Sequence, residues 1–322
     1  MAIDDSSAAD WFRATEAAGD FMGIRYGKLV ADSDQVEWQF VSHCESDGIG
    51  GFARVLRKDG AELGVLPQSQ HLKCGFIGSL VHFLVSILSD PNAGCAVRDD
   101  WALAEGDSHD GPPKSVAWHL FTELETCAIL DHCKRENATV NSYLLQHLDH
   151  AVRPDIKSPM AKIPWMIPVN LRGGLSGSSD TANQVSCIDL RIAVGDSLQA
   201  IQQQTRRRLA CGEHWANHRL MQLGGVLSEK KKVRYLIKGR SKPHGNIGAF
   251  SNLGVWDSEK SIDTNARWIF CPPVVMGQLL GAGCVTFQNQ LSLTVQSHAD
   301  EAMVSKWMRA WVEALVVDGQ SH

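Results

Sequence analysis

Two hydrophobic periodicities are interleaved along this chain, and neither an all-helical nor an all-strand fold accommodates both. Residues 36–42 alternate, with Val36, Trp38 and Phe40 on one face and Glu37, Gln39 and Val41 on the other. That two-residue period predicts a strand with one apolar, buried face. Further strands are predicted over 163–169, despite Pro164, and over 185–192, 248–256, 267–271 and 285–287. Leu291, Leu293 and Val295 alternate with polar residues, as in a half-buried strand. Helical spacing appears elsewhere. Residues 49–56 can open a helix after Gly48. Thr122 and Glu125 have the spacing of a capping box, with Leu124, Cys127 and Ala128 along one side. Thr139 is placed to cap a helix carrying Val140, Tyr143, Leu144, His147, Leu148 and Ala151, ended by Pro154. Residues 196–227 read as mostly helical, and a closing helix brings Val304, Trp307, Trp311 and Leu315 to the core. Mixed α/β layers are the expected architecture.

The chain has 322 residues, which at about 150 residues per domain suggests two domains or lobes. Residues 104–114 are polar and rich in Gly and Pro, and read as a linker. The predicted division is an N-terminal part over 1–103, the linker, and a C-terminal part over 115–322. Lys and Arg number 31 against 36 Asp and Glu, a formal charge of −5, which does not suit a polyanion binder. The longest apolar run, 76–88, is interrupted by His82 and is too short to span a membrane. Nine cysteines without a C-x-x-C pair, and an acidic N-terminus without a signal segment, predict reduced thiols in the cytoplasm. Cys127, His132 and Cys133 lack zinc-site spacing and read as buried thiols and a neighbouring histidine.

The segment carrying chemistry is His43-Cys44-Glu45-Ser46-Asp47-Gly48. A histidine at a strand end, ahead of a tight turn, can project its imidazole into a cleft. Its ordinary pKa of about 6.5 suits general base work near neutrality. Asp47 can hold the turn through an ion pair, and Gly48 permits a close approach that a side chain blocks. The spacing by itself suits a surface histidine followed by a Ser-Asp-Gly turn better than a catalytic one.

The order of several segments narrows this. His43-x-x-x-Asp47-Gly48 resembles the active-site motif of the chloramphenicol acetyltransferase-like superfamily, which includes condensation domains and alcohol acyltransferases. Residues 120–152 resemble the helix pair that opens that family's C-terminal lobe. Pro168-Val169-Asn170-Leu171-Arg172, Asn183-Gln184-Val185-Ser186 and Ser251-Asn252-Leu253-Gly254 resemble successive strands, and residues 291–296 with the final helix resemble its closing elements. The likeness covers about 36–56 and 118–316. It implies a two-lobe α/β fold with mixed sheets flanked by helices and a cleft between the lobes. His43 is then the general base, Asp47 is structural and paired with Arg172, and Gly48 lies beside the reacting carbonyl. Ser251 and Asn252 stand near the oxyanion or the channel. No tightly bound cofactor is expected. An acyl-CoA or acyl carrier protein is the implied co-substrate, and a hydroxyl or amine of a small, secondary-metabolite acceptor receives the acyl group.

The chain departs from the family in three ways. Ser42 stands where many members have a first histidine, the Asp-Phe-Gly-Trp-Gly strand of the plant branch is absent, and only 42 residues precede His43. The last implies an incomplete N-terminal lobe, with an open sheet edge that invites a homo-oligomeric partner. It also leaves two other readings open: a cyclase or isomerase that uses no thioester, and a binding module without catalysis. Residues 230–242 hold seven cations, joined by Arg206, Arg207 and Arg208. They read as a solvated basic helix face or as an anion site for coenzyme A phosphates or a carrier protein. No nucleic-acid module, phosphate loop or nucleophile elbow is present, and Gly48-Ile49-Gly50-Gly51 is not a dinucleotide fingerprint. Trp307 and Trp311 read as core, while Trp38 and Trp256 suit either the core or a pocket wall.

Overall fold

The computed structural model describes residues 6–29, 35–69, 78, 81, 112–159, 161–175, 179–240, 245–257, 266–275 and 277–320. The predicted linker and the apolar run at 76–88 lie largely outside them. Along the chain come α1 (Ser6–Ala17), β1 (Gly23–Leu29), β2 (Val36–Ser42), α2 (Gly48–Lys58), β3 (Ser115–Leu120), α3 (Glu123–Arg135) and α4 (Val140–Val152). Next are β4 (Ile163–Asn170), β5 (Val185–Ile192), α5 (Leu198–Ala210), α6 (Glu213–Leu223) and α7 (Glu229–Arg240). The chain finishes with β6 (Gly248–Trp256), β7 (Arg267–Cys271), β8 (Leu280–Phe287), β9 (Gln290–Ser297) and α8 (Glu301–Gln320).

Two sheets form. The larger has the order β3-β9-β8-β6-β4-β5, and the smaller β2-β1-β7. Strand β7 comes from the C-terminal part yet pairs antiparallel with β1, so strand pairing runs across the predicted linker. Its exit crosses the face of β8 at backbone distance. A Cβ on Gly283 would collide with the Phe270 carbonyl, and one on Gly281 would stand 2.9 Å from the Pro272 carbonyl. Glycine at these two positions lets the small sheet lie against the large one.

The large sheet is packed on one face by α4 and α8. Val304, Trp307, Trp311 and Leu315 are buried as predicted. The two indoles donate to Asp155 Oδ2 (2.8 Å) and to the Leu144 carbonyl (2.9 Å), so neither N–H is buried without a partner. Both helix caps form: Thr122 with Glu125 makes the full capping box, and Thr139 accepts from Ser142 N. In the small lobe, Phe52 of α2 packs on Tyr26 of β1 and edge-on to Trp256, which belongs to the core.

Three readings of faces are corrected. First, strand β2 turns its apolar stripe away from α2. The register pairs Val41 with buried Ile24 and Phe40 with Arg25, so Val41 meets the core and Phe40 stays 58% exposed, under the Arg25 guanidinium. Trp38 is half-buried across Gly27. Second, the inner face of α3 is Thr126, Ile129 and Cys133. Leu124 and Cys127 are exposed, because the helix is oriented by the Thr126 hydroxyl accepting from Leu291 N of β9 (3.0 Å). Third, β9 is buried on both faces. Thr294 and Gln296 donate to the Phe270 and Pro272 carbonyls of the crossing segment, which satisfies polar groups that the alternation assigned to solvent.

The crossing yields a test. Gly283→Ala is expected to lower stability by about 1–3 kcal/mol through overpacking. Gly239→Ala, in open space on α7, is expected to leave it unchanged or up to about 1 kcal/mol higher. Thermal unfolding of both variants against the parent checks the pair.

Candidate active site

The predicted motif residues come together where the two sheets meet. His43 follows β2 on the same side as Val41, the side that faces the lobe interface, and its backbone N–H donates to the Met22 carbonyl (2.8 Å). The next residues turn, and Asp47 caps α2 by accepting from Gly50 N at 2.9 Å.

Asp47 and Arg172 form a bidentate pair, with Nη2–Oδ1 at 2.8 Å and Nη1–Oδ2 at 2.9 Å, and each side chain is 3% exposed. Each partner is also saturated. The carboxylate accepts from Gly50 N and from Gln184 N (2.7 Å) besides the guanidinium. The guanidinium spends its other N–H groups on the carbonyls of Asp180 and Ala182, both at 2.9 Å, and on Asn170 Oδ1. All five N–H groups and both carboxylate oxygens are engaged, so neither residue has capacity left for proton transfer or a ligand. Their work is to join α2 of the small lobe to the β4–β5 connection of the large one.

That connection grips the motif residue by residue. Asp180 pairs with Arg57 at 2.6 Å, the Thr181 carbonyl accepts from Ser46 Oγ at 2.7 Å, and the Ala182 carbonyl takes Arg172. Asn183 takes His43, and Gln184 N takes Asp47. The fit explains the glycine run at 48–51. A Cβ on Gly50 would collide with the Thr181 carbonyl, one on Gly51 with the Tyr26 hydroxyl, and one on Gly48 would sit 2.7 Å from Leu253 Cδ2.

The resemblance of residues 183–186 to a strand gives no hint of what Asn183 does, nor of the contact made by Phe12. The Asn183 amide nitrogen lies 2.9 Å from His43 Nδ1 and donates to the His43 carbonyl at 2.6 Å. The ring of Phe12, from α1, stacks on the imidazole with centroids 4.3 Å apart and planes 16° from parallel. No spacing signal announced either, because both reach His43 only through tertiary contact. Burial lowers the His43 pKa from its ordinary 6.5. The Asp47 carboxylate, the backbone carbonyls of His43 and Ser46, and Glu16 pull it back up without cancelling the shift. Burial thus favours the neutral form of the ring.

His43 lines a cleft of about 120 Å³ shared by the two lobes. Gly48, Ser251 and Asn252 line it too, and Arg172 and Asp47 show an edge to it. The register of β6 on β8 shifts between Asn252 and Val255, a bulge that presents Asn252 and Leu253 to the cleft. Asn252 is occupied: its amide donates to Asn141 Oδ1 and its carbonyl oxygen accepts from Gly254 N. Ser251 is 7% exposed, and its hydroxyl makes no hydrogen bond among the described residues. The basic stretch lies elsewhere. Helix α7 packs on α1, where Lys232 is buried over Trp11 and reaches Asp10 at 3.5 Å, while Lys230, Lys231, Arg234 and Lys238 face outward. Arg208 pairs with Glu213 at 2.7 Å. None of these cations lines the cleft. Among the described residues no cluster of His, Cys, Asp or Glu could hold a metal, and no helix is long and apolar enough to cross a membrane.

The saturated pair sets an expectation. Asp47→Asn or Arg172→Met leaves a buried charge alone and is expected to cost about 3–5 kcal/mol. The double variant Asp47→Asn with Arg172→Met is expected to lose less than the sum of the singles. A double-mutant cycle by denaturant unfolding measures the coupling.

The sequence matches no protein-family model and no curated protein. Solved structures do resemble it. Polyketide synthase associated protein 5 from Mycobacterium tuberculosis superposes with a TM-score of 0.56 at 14% identity, over 91% of this chain and 76% of that one. Trichothecene 15-O-acetyltransferase from Fusarium sporotrichioides gives 0.54 at 17% identity, over 92% and 70%. The epimerization domain from the third module of tyrocidine synthetase B gives 0.50 at 12%, over 88% and 69%. The chain therefore has the chloramphenicol acetyltransferase-like fold, with mixed sheets flanked by helices and His43 at the junction of its lobes.

Proposed function

We propose that this protein is an acyltransferase that moves an acyl group from a thioester to a hydroxyl or amine of a small acceptor. The donor is an acyl-CoA or an acyl carrier protein, taken up as co-substrate with no resident cofactor. The observation that carries the reading is an imidazole in a cleft between lobes, with the Asn183 side chain beside Nδ1 and the Phe12 ring stacked on one face.

In this reading His43 removes the acceptor's proton as that group attacks the thioester carbonyl. The carbonyl oxygen takes up negative charge, and the Ser251 hydroxyl, which has no other hydrogen bond among the described residues, is the side-chain donor for it. Collapse of the tetrahedral intermediate breaks the C–S bond. The departing thiolate takes the proton from the imidazolium, which returns His43 to its starting form. Asp47 and Arg172 move no proton; they keep the turn that aims the ring.

Release of free thiol from acyl-CoA, measured over a panel of alcohols and amines, tests this. His43→Ala is expected to lower the rate by about 10²–10⁴-fold. Equal release by parent and variant ends the proposal. A product of unchanged mass without thiol release assigns the cleft to isomerisation instead, the reaction named for the tyrocidine epimerization domain.

The pH profile follows from the lowered His43 pKa. The base works when neutral, so kcat/KM is expected to be flat through pH 7 and to fall with acid, with a midpoint below the ordinary 6.5. Asn183→Asp places a carboxylate beside the ring and favours the imidazolium, so its acid limb is expected at higher pH. A merely structural role for Asn183 moves the rate without moving the midpoint.

A further inference from the structure

We infer that the group this cleft binds is uncharged and apolar, with a single oxygen-bearing handle presented to His43 and Ser251. The inference rests on the cleft being the substrate site, and it names what chemistry fits there.

Its walls are Met22, Ile24, Met166, Val185, Leu253 and Phe270, with Pro272 and Pro273 of the crossing segment. Four of the polar residues that line it carry no free charge: Asp47 and Arg172 are saturated by each other and their neighbours, and Asn170 and Asn252 are neutral amides with one N–H each committed. Asp47 and Arg172 spend every hydrogen-bonding site on one another, on the backbone and on Asn170 Oδ1. Asn170 donates to the Pro67 carbonyl at 2.7 Å and accepts from Arg172. Asn252 is tied to Asn141 and Gly254. Among the lining side chains of the described residues, the His43 imidazole and the Ser251 hydroxyl are the ones least committed to other partners, and none carries a free charge.

A carboxylate or ammonium entering such a space loses its water and meets no free counter-charge, and buried charge without a partner is strongly disfavoured. A neutral apolar group loses little and gains the walls. One hydroxyl suits both side chains, donating to the imidazole and accepting from Ser251. The volume sets the scale as well. About 120 Å³ is close to the cavity of about 150 Å³ that accepts benzene in an apolar interior, so the part of the ligand inside is about the size of one six-membered ring.

Benzyl alcohol, benzoate and benzylammonium share that size and differ in charge. Their titration against the full chain at pH 8, read by ligand-observed NMR, tests the inference. Benzyl alcohol is expected to bind saturably, with benzoate and benzylammonium at least tenfold weaker. Met166→Trp and Val275→Trp fill the cleft from two different elements, and each is expected to weaken benzyl alcohol at least tenfold. His43→Ala is expected to keep the preference for the neutral probe. Binding of either charged probe as tightly as the alcohol overturns the inference. So does the absence of saturable binding, or benzyl alcohol binding that neither tryptophan variant changes. Selective binding without thiol release from any thioester leaves this inference standing and removes the acyltransferase reading. Thiol release with a preference for charged acceptors does the reverse.

Discussion

One buried ion pair decides whether this protein has a site at all. Asp47 and Arg172 belong to different lobes, and their side chains meet nearly out of reach of water. A buried pair is a poor source of net stability, because desolvation consumes most of the Coulombic gain. What this pair supplies is geometry. Every lone pair and every N–H is spent, so α2, the motif turn and the β4–β5 connection can be joined in only one way. The histidine four residues upstream inherits that constraint. Asn183, which neighbours Gln184 in the same connection, then fixes the ring directly.

The second constraint is steric, and glycine carries it. Gly50 and Gly51 let the connection and Tyr26 reach the start of α2, and Gly281 and Gly283 let β7 cross the large sheet. These approaches run backbone to backbone or ring to backbone, and a single methyl group closes each one. The crossing makes the cleft two-sided: Phe270, Pro272 and Pro273 come from the segment that leaves the small sheet, and Met166, Ala249 and Ser251 come from the large one. It also buries the polar face of β9, whose Thr294 and Gln296 hold the crossing segment by its carbonyls.

The cleft's chemistry follows from what these constraints leave over. Charge is present at its edge but fully committed, and the least committed lining side chains are the His43 imidazole and the Ser251 hydroxyl. Burial lowers the histidine pKa and favours its neutral form, as the proposed base role requires. It also strengthens a hydrogen bond to any charge that develops on a bound oxygen. The small volume and the restricted ring act together, since a base is useful only when the proton it removes arrives within hydrogen-bond reach.

Much of this was legible along the chain. Strand 185–192, strands 248–256 and 267–271, both helix caps and the tryptophan stripe of the last helix are local: period, capping chemistry and propensity act over a few residues. The motif was legible too, because its spacing is a property of one turn, and Arg172 was legible through a resemblance of segment order. The linear pattern did not decide which face of β2 meets the core, since alternation marks two faces and pairing with β1 chooses between them. It could not tell that the polar residues of β9 are buried, because the segment that covers them lies some twenty residues earlier and reaches them only after crossing β8. It gave no sign of Phe12 and Asn183, which stand 31 and 140 positions from His43. The sequence by itself therefore determined the elements, their caps and the reactive turn. Tertiary structure alone decided which faces are inside, what surrounds the imidazole and which side chains line the cleft, because those depend on contacts between segments whose separation along the chain carries no periodic signal.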